Sequence, residues 1–204
     1  MPLAAKLEIL ERNGIMNKPI ILLISAKAQH GKDTFASAFQ REAKNEFGYR
    51  TLIIKYGDIL KYVCEKYFNW NGEKDEVGRQ ILQQVGTNLC RKNNPDIWVN
   101  CVIEVVKGLK TEYDFVCIPD VRFPNEIEAW ENTDMFTFTI RLTRVNEDDT
   151  PFDNGLTEEQ KQHPSEVALD TYKFNYEICN KNINDIDAAA QIILNDIIKI
   201  DKEN

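Results

Sequence analysis

The sequence predicts an α/β fold: an open, mostly parallel five-stranded sheet with helices on both faces. Three observations carry this. Short apolar runs alternate with longer stretches of helical periodicity through most of the chain. The first run, Ile20 to Ile24, breaks into a small-residue loop, Ser25 to Gly31, and an amphipathic helix follows at once from Lys32-Asp33-Thr34. A later run, Phe115 to Ile118, ends in Pro119-Asp120. Strands joined by helices run parallel and bring their carboxyl ends to one edge, where open α/β sheets bind ligands.

The chain has 204 residues, 43% hydrophobic and 28% charged, which suits one globular domain with a full core. Acidic residues outnumber Lys and Arg, 33 against 25, giving a net charge of −8. That balance argues against gripping a nucleic-acid backbone and leaves room for a local basic pocket around a small anion. The five cysteines (Cys64, Cys90, Cys101, Cys117, Cys179) lie far apart and form no CxxC pair. They read as small core residues in a reducing compartment rather than zinc ligands or a disulfide framework. No run approaches membrane-spanning length, and Lys6, Glu8, Glu11 and Arg12 do not suit a secretory signal. A soluble cytoplasmic protein with no membrane or nucleic-acid partner is expected.

Taken in order, Leu3, Leu7 and Leu10 share a helical face, so residues 1–18 read as a helical extension broken by Asn13-Gly14. After the first strand and loop, Phe35, Ala38, Phe39 and Ala43 mark the buried face of a helix that Phe47-Gly48 ends. Thr51 to Tyr56 reads as a second strand, leading through Gly57-Asp58 to a helical stripe of Ile59, Leu60, Val63, Cys64, Tyr67 and Phe68. Asp58 is then either a helix N-cap or a ligand-facing carboxylate at the strand's end, or both. Residues 75–91 read as one helix with Val77, Ile81, Leu82, Val85 and Leu89 inside, carrying Arg79 and Arg91 outside. Asn93-Asn94-Pro95 breaks it, and residues 96–109 form a helix apolar on the side of Trp98, Val102, Val105 and Val106. The third strand ends at Pro119, which cannot donate to a sheet ladder. A helix follows to Trp130, and Phe136 to Leu142 alternates as a fourth strand with Arg141 and Arg144 at its end. Residues 145–163 are polar, acidic and weakly patterned, so the region 145–170 reads as a lid inserted in the domain. A short helix after His163-Pro164-Ser165-Glu166, a strand from Tyr176 to Cys179 and a turn from Asn180 to Asn184 complete the sheet. Ile186, Ala190, Ile193, Leu194 and Ile197 mark the last helix.

The loop after the first strand carries the chemistry. A strand, a small loop, a lysine and a helix N-terminus form a phosphate cradle, in which backbone N–H groups and the helix dipole face one anion. The P-loop pattern is G-x-x-x-x-G-K-[ST]; here it reads Ala26-Lys27-Ala28-Gln29-His30-Gly31-Lys32-Asp33, with Thr34 one place late. Ala26 is tolerable in place of glycine only if its φ stays negative. Ala28, Gln29, His30, Gly31, Lys32, Asp33 and Thr34 are the candidates for holding ATP. Asp33 stands where a magnesium-binding hydroxyl is expected, so Thr34 or Asp33 would serve. Asp120, at the end of an apolar strand, is the partner carboxylate that orders Mg2+ in such sites.

Gly31-Lys32-Asp33-Thr34 and Tyr56-Gly57-Asp58-Ile59-Leu60-Lys61 together resemble the phage-type deoxynucleoside monophosphate kinases, P-loop kinases related to adenylate kinase. So do Leu82-Gln83-Gln84-Val85-Gly86-Thr87 with Arg91, Pro95-Asp96-Ile97-Trp98, Asp120-Val121-Arg122-Phe123-Pro124-Asn125-Glu126, and His163-Pro164-Ser165-Glu166. The motifs run in the family's order over most of residues 20–185, and DVRFPNE is the most specific. The resemblance implies a single P-loop NTPase domain over 1–204, a three-layer α/β/α sandwich with a lid. It implies transfer of the γ-phosphate of ATP to a deoxynucleoside monophosphate, and it suggests a homodimer.

Within that reading Lys32 holds the β- and γ-phosphates, and Arg122, following the metal carboxylate, stands near the reacting centre. Arg144 and Arg141 sit at the base of the lid, toward the reacting phosphate and the ATP. Arg91 is favoured for the acceptor phosphate because its context matches the family; Arg79 is second, with a surface ion pair as its plain alternative. The two arginines would be ~18 Å apart along a straight helix and so cannot clasp one phosphate together. Asp58 and Lys61 belong to the acceptor side. Trp98 has two readings, a stacking surface for the base or core. His163 is either a nucleotide contact when the lid shuts or a loop residue packed by Pro164. Glu166 is either a nucleotide contact or a helix N-terminal charge. The acidic lid closes the site against water rather than clamping phosphate. A phosphate acceptor needs no general base, its second pKa being near ~6, whereas an alcohol acceptor would need one, with Asp58 as candidate. A P-loop kinase for another small acceptor and a nucleotide-binding protein without catalysis are the alternatives.

Overall fold

The computed structural model describes residues 18–73 and 75–202. The expected helix over 3–12 lies outside them. The described elements are β1 (Ile20–Ala26), α1 (Lys32–Phe47), β2 (Thr51–Ile53), α2 (Tyr56–Tyr67), α3 (Glu76–Gln83), a π-helical segment (Gln84–Arg91), α4 (Ile97–Gly108), β3 (Phe115–Ile118), α5 (Pro124–Glu131), β4 (Thr137–Arg144), α6 (Glu158–Lys161), α7 (Pro164–Val167), β5 (Tyr176–Asn180) and α8 (Ile183–Lys202). The five strands stand in the order β2-β3-β1-β4-β5 and every pairing is parallel. This is an open, all-parallel α/β sheet with helices on both faces.

Strand β1 lies at the centre, and its alternation divides the core. Ile20, Leu22 and Ile24 face α1 and α8, joining Phe35, Phe39, Ala190 and Ile193. Ile21 and Leu23 face the other way, joining Trp98 and Val102 of α4 and Ile127 and Trp130 of α5. All five residues are at most 1% exposed, so β1 is buried on both faces, as a central parallel strand requires. Its neighbours β3 and β4 lie on opposite sides, which opens a crevice at its carboxyl end.

Several expected boundaries move. The strand over Thr51–Tyr56 stops at Ile53, and α2 starts at Tyr56 because Asp120 captures the N–H groups of Tyr56 and Gly57 (3.1 and 2.8 Å). Lys55 rather than Asp58 is therefore the N-cap residue. Tyr67 and Phe68 end α2 in solvent instead of extending its buried stripe. The helix over 75–91 widens into a π-helical segment at Gln84. That changes the phase of the stripe: Val85 stays buried, while Leu89, like Val77 at the other end, is exposed. Val105 also faces solvent, being just off the buried row of Trp98, Val102 and Val106. Of the cysteines, Cys64 and Cys117 are buried but Cys101 and Cys179 are exposed, so only part of the set serves the core. Strand β5 gains Asn180, and α8 begins at Ile183 inside the expected turn. No helix among the described residues is long and apolar enough to cross a membrane.

Candidate functional site

The loop after β1 turns sharply into the N-terminus of α1. Ala26 remains in β1 and is not among the residues with positive φ, which satisfies the condition for replacing glycine there. The loop turns through left-handed conformations at Gln29 (φ 64°) and Gly31 (φ 93°). At Gly31 a side chain is excluded twice over: by φ, and because an added Cβ would lie 2.7 Å from Ile186 Cδ1 of α8. Gly31 is the N-cap of α1, so the helix N-terminus opens onto the crevice.

Neighbouring segments clamp the loop from outside. The side-chain amide of Asn180, at the end of β5, donates to the carbonyls of His30 (3.3 Å) and Thr143 (3.2 Å). The Arg144 N–H donates to His30 Nδ1 at 3.0 Å, so His30 is a buried strut between the loop and β4. Burial and then the positive charge of Arg141 lower the His30 pKa, favouring the neutral ring that can accept this bond. Phe152 of the 145–170 region packs edge-on against His30 and carries the Arg144 guanidinium 4.1 Å from its ring centre. Gln29 Nε2 donates to the Asn154 carbonyl at 3.1 Å. The 145–170 region thus packs against the loop after β1.

Charged groups converge at the same edge. Lys32 is largely buried, its side chain 18% exposed, and bonds Asp33 Oδ2 at 3.1 Å. Lys55 bonds the other oxygen of Asp33 at 2.6 Å. Burial opposes ionisation of Asp33, but the two lysines outweigh it and hold its pKa below the ordinary range. Asp120 fixes the start of α2 through the two N–H groups already named. Burial raises its pKa, with Gly57, Tyr56 and Arg122 acting against the rise. Asp58 is exposed on the first turn of α2 and bonds Lys61 at 2.7 Å. Thr34 lines a cleft of about 500 Å³ together with Gly31, Lys32, Asp33, Arg144 and Asn182.

The DVRFPNE segment is organised by Glu126. Its buried carboxylate accepts from the N–H groups of Arg122 (2.7 Å) and Phe123 (3.1 Å) and from Arg91 Nη2 (2.8 Å). Burial raises its pKa, and Arg91 is the leading opposing influence. Arg91 also lies over the Phe123 ring at 4.8 Å. The π-helical widening delivers it there, and Gly86 fits against Leu60, where a Cβ would come within 2.7 Å of Leu60 Cδ2. Arg122 pairs with Glu166, whose second oxygen accepts the Ala28 N–H of the phosphate loop at 3.2 Å.

Of the other expected residues, Trp98, His163 and Arg79 stand apart from this cluster, whereas Glu166 and Arg141 adjoin it. Trp98 is 4% exposed and donates to the Gly86 carbonyl at 3.2 Å, so it is core and offers no face to a base. His163 is exposed and caps α7 by accepting the Ser165 N–H. Glu166 turns away from the end of α7 to the loop and Arg122. Arg79 lies on an exposed part of α3, separated from Arg91 by the π-helical segment. Arg141 bonds Ser25 Oγ and Asp170, both at 2.8 Å, beside a cavity of about 880 Å³ lined also by Lys27, His30, Phe152, Tyr172 and Phe174. Sequence reasoning passed over Lys55, Glu126, Phe152 and Asn180. For Lys55 the signal was its place immediately before Tyr56-Gly57-Asp58.

Asp33, Thr34 and Asp120 offer hard oxygen donors, which suits Mg2+. Among the described residues no group of three or more His, Cys, Asp or Glu side chains could hold a metal alone. That is compatible with an ion held by one or two carboxylates and the phosphates of a nucleotide.

No protein-family model matches the chain. A protein of Ictalurid herpesvirus 1 (strain Auburn), "Uncharacterized protein ORF77", is 34% identical over 114 residues. The match spans 55% of this chain and 43% of the viral protein, so less than half of that protein is represented. Two solved structures of the Mycobacterium tuberculosis APS kinase CysC align over 88% of the chain. One is a Cys556Ala mutant, at 7% identity, 97% coverage of that chain and a TM-score of 0.46. The other is the complex with AMPPNP and APS, at 8% identity, 98% coverage and a TM-score of 0.48. Likenesses this distant carry no argument about chemistry.

Proposed function

We propose that the protein is an ATP-dependent phosphotransferase acting on a small phosphorylated acceptor, and that the acceptor is a deoxynucleoside monophosphate. One observation carries the reading: the glycine-turned loop with Lys32 lies at the carboxyl edge of β1 beside the turn that carries Asp120, with the Arg91 guanidinium and the Arg122 N–H on Glu126 and the Arg122 guanidinium on Glu166. In this reading cations serve both sides of one centre, as in-line transfer between two phosphates requires.

In this reading the loop N–H groups and Lys32 hold the donor phosphates. Magnesium, when bound with ATP, would neutralise charge on the β- and γ-phosphates, with Asp33, Thr34 and Asp120 as its holders on the protein. Arg91, oriented by Glu126 and Phe123, receives the acceptor phosphate. Arg122 reaches the transferring group once Glu166 yields it. The acceptor is already an anion at neutral pH, so no base is needed. Asp58, exposed and paired with Lys61, is poorly placed to act as one, which disfavours an alcohol acceptor. The 145–170 region excludes water from the centre.

The test is a coupled ADP-release assay with magnesium-ATP against deoxynucleoside monophosphates, ribonucleoside monophosphates and nucleosides, with products identified. Turnover on a deoxynucleoside monophosphate is expected. Turnover on nucleosides alone would move the protein to the alcohol kinases, and none at all would remove the enzymatic reading.

A further inference from the structure

Lys55 has no place in the P-loop pattern, yet the fold delivers it to Asp33 at the start of α1. Its backbone precedes the two N–H groups that Asp120 holds, so the β3 carboxylate sets where the lysine starts. Its ammonium bonds Asp33 Oδ1 while Lys32 bonds Asp33 Oδ2, so the two ammonium groups are one carboxylate apart. Its side chain is 33% exposed, open enough to meet a ligand and enclosed enough to have a fixed direction.

Charge balance shows what this cation does. Asp33, Asp58 and Asp120 bring three carboxylates to one edge, matched by the ammonium groups of Lys32, Lys55 and Lys61. A phosphate donor and a phosphorylated acceptor together add more negative charge than one magnesium ion offsets. Asp33 cannot hold two lysines and also serve an incoming metal with the same oxygens. If Asp33 held a metal instead, Lys55 would be left unpaired beside Lys32, free to meet a phosphate.

We propose that Lys55 is a second catalytic cation, in contact with the transferring phosphoryl group opposite Lys32. This rests on the phosphotransferase reading above. In the step, the bond from the γ-phosphorus to the bridging oxygen breaks and its electron pair stays on ADP. The acceptor oxygen supplies the pair for the new P–O bond. Lys55 keeps its protons and stabilises charge on the equatorial oxygens, which a fixed donor does best when charge is moving.

The experiment compares wild type, Lys55→Gln and Lys55→Arg. Glutamine keeps a hydrogen bond to Asp33 and removes the charge; arginine keeps the charge. With the acceptor identified in the panel assay, Lys55→Gln is expected to lower kcat by about 10²- to 10³-fold, the usual effect of deleting one transition-state donor. Its affinity for ADP alone should change less than about threefold, while binding of ADP with aluminium fluoride and the acceptor weakens in parallel with kcat. Lys55→Arg should recover part of kcat. If Lys55→Gln keeps kcat within twofold of wild type, the assignment is wrong. It is equally wrong if kcat, ADP affinity and melting temperature fall together in Lys55→Gln and arginine restores all three, since the lysine is then only a structural tie. Wild-type protein inactive on every acceptor would instead overturn the phosphotransferase reading itself.

Discussion

Glu126 is the buried pivot of the DVRFPNE segment, and its removal has a calculable cost. Its side chain is 3% exposed and accepts three hydrogen bonds, two from backbone N–H groups and one from Arg91. Glu126→Ala leaves the Arg122 and Phe123 N–H groups without an acceptor and deletes the Arg91 partner. Breaking a fully buried ion pair costs about 3–5 kcal/mol, but the Arg91 side chain is 23% exposed and can turn to water. A loss of roughly 2–3 kcal/mol follows, near the range for hydrogen bonds to a charged group. For a chain of this size that lowers the melting temperature by roughly 4–12 °C. Glu126→Gln can still accept the two backbone bonds with its amide oxygen but points N–H donors at Arg91, so roughly half the loss is expected. Both variants free Arg91, so KM for the acceptor should rise about tenfold or more while KM for ATP holds within about threefold. Thermal melts and initial-rate kinetics read both effects. A Glu126→Ala protein that melts within a degree or two of wild type with unchanged acceptor KM would refute the role assigned to Glu126.

Further outcomes follow from the same geometry. Lys32→Ala should abolish transfer in the ADP-release assay and leave the far-UV circular dichroism unchanged. Arg91→Ala should raise KM for the acceptor far more than KM for ATP. Gly31→Ala meets both a left-handed backbone and Ile186 Cδ1 at 2.7 Å. It should destabilise by about 1–3 kcal/mol in denaturant titration and weaken ATP binding as α8 and the loop part. Folding depresses the His30 pKa below its ordinary 6.5, so the unfolded chain binds the proton more readily. Stability is therefore full above 6.5 and falls as pH drops below it; His30→Gln should flatten that part of a urea-midpoint profile against pH.

The sequence alone determined the layered plan. Alternating apolar runs and helical stripes identify β1, β3, α1 and α8 because burial on one face or two imposes its own period on the chain. The glycine-turned loop after β1 and the strand-end Asp120 were legible for the same reason: a turn without side-chain bulk and a carboxylate after an apolar run are local patterns. What tertiary structure decided is non-local. Asp120 ends a strand and begins a helix more than sixty residues earlier in the chain, shortening β2 and making Lys55 rather than Asp58 its N-cap. The π-helical widening breaks the 3.6-residue period that pointed Leu89 inward, and it carries Arg91 to Glu126. Trp98 has the composition of a base-stacking residue, and only its bond to the Gly86 carbonyl shows it to be core. The pairing of Lys55 with Asp33 joins the start of α2 to the start of α1. Its energy lies in the meeting of two charged side chains across space, and neither one's neighbours in sequence record it.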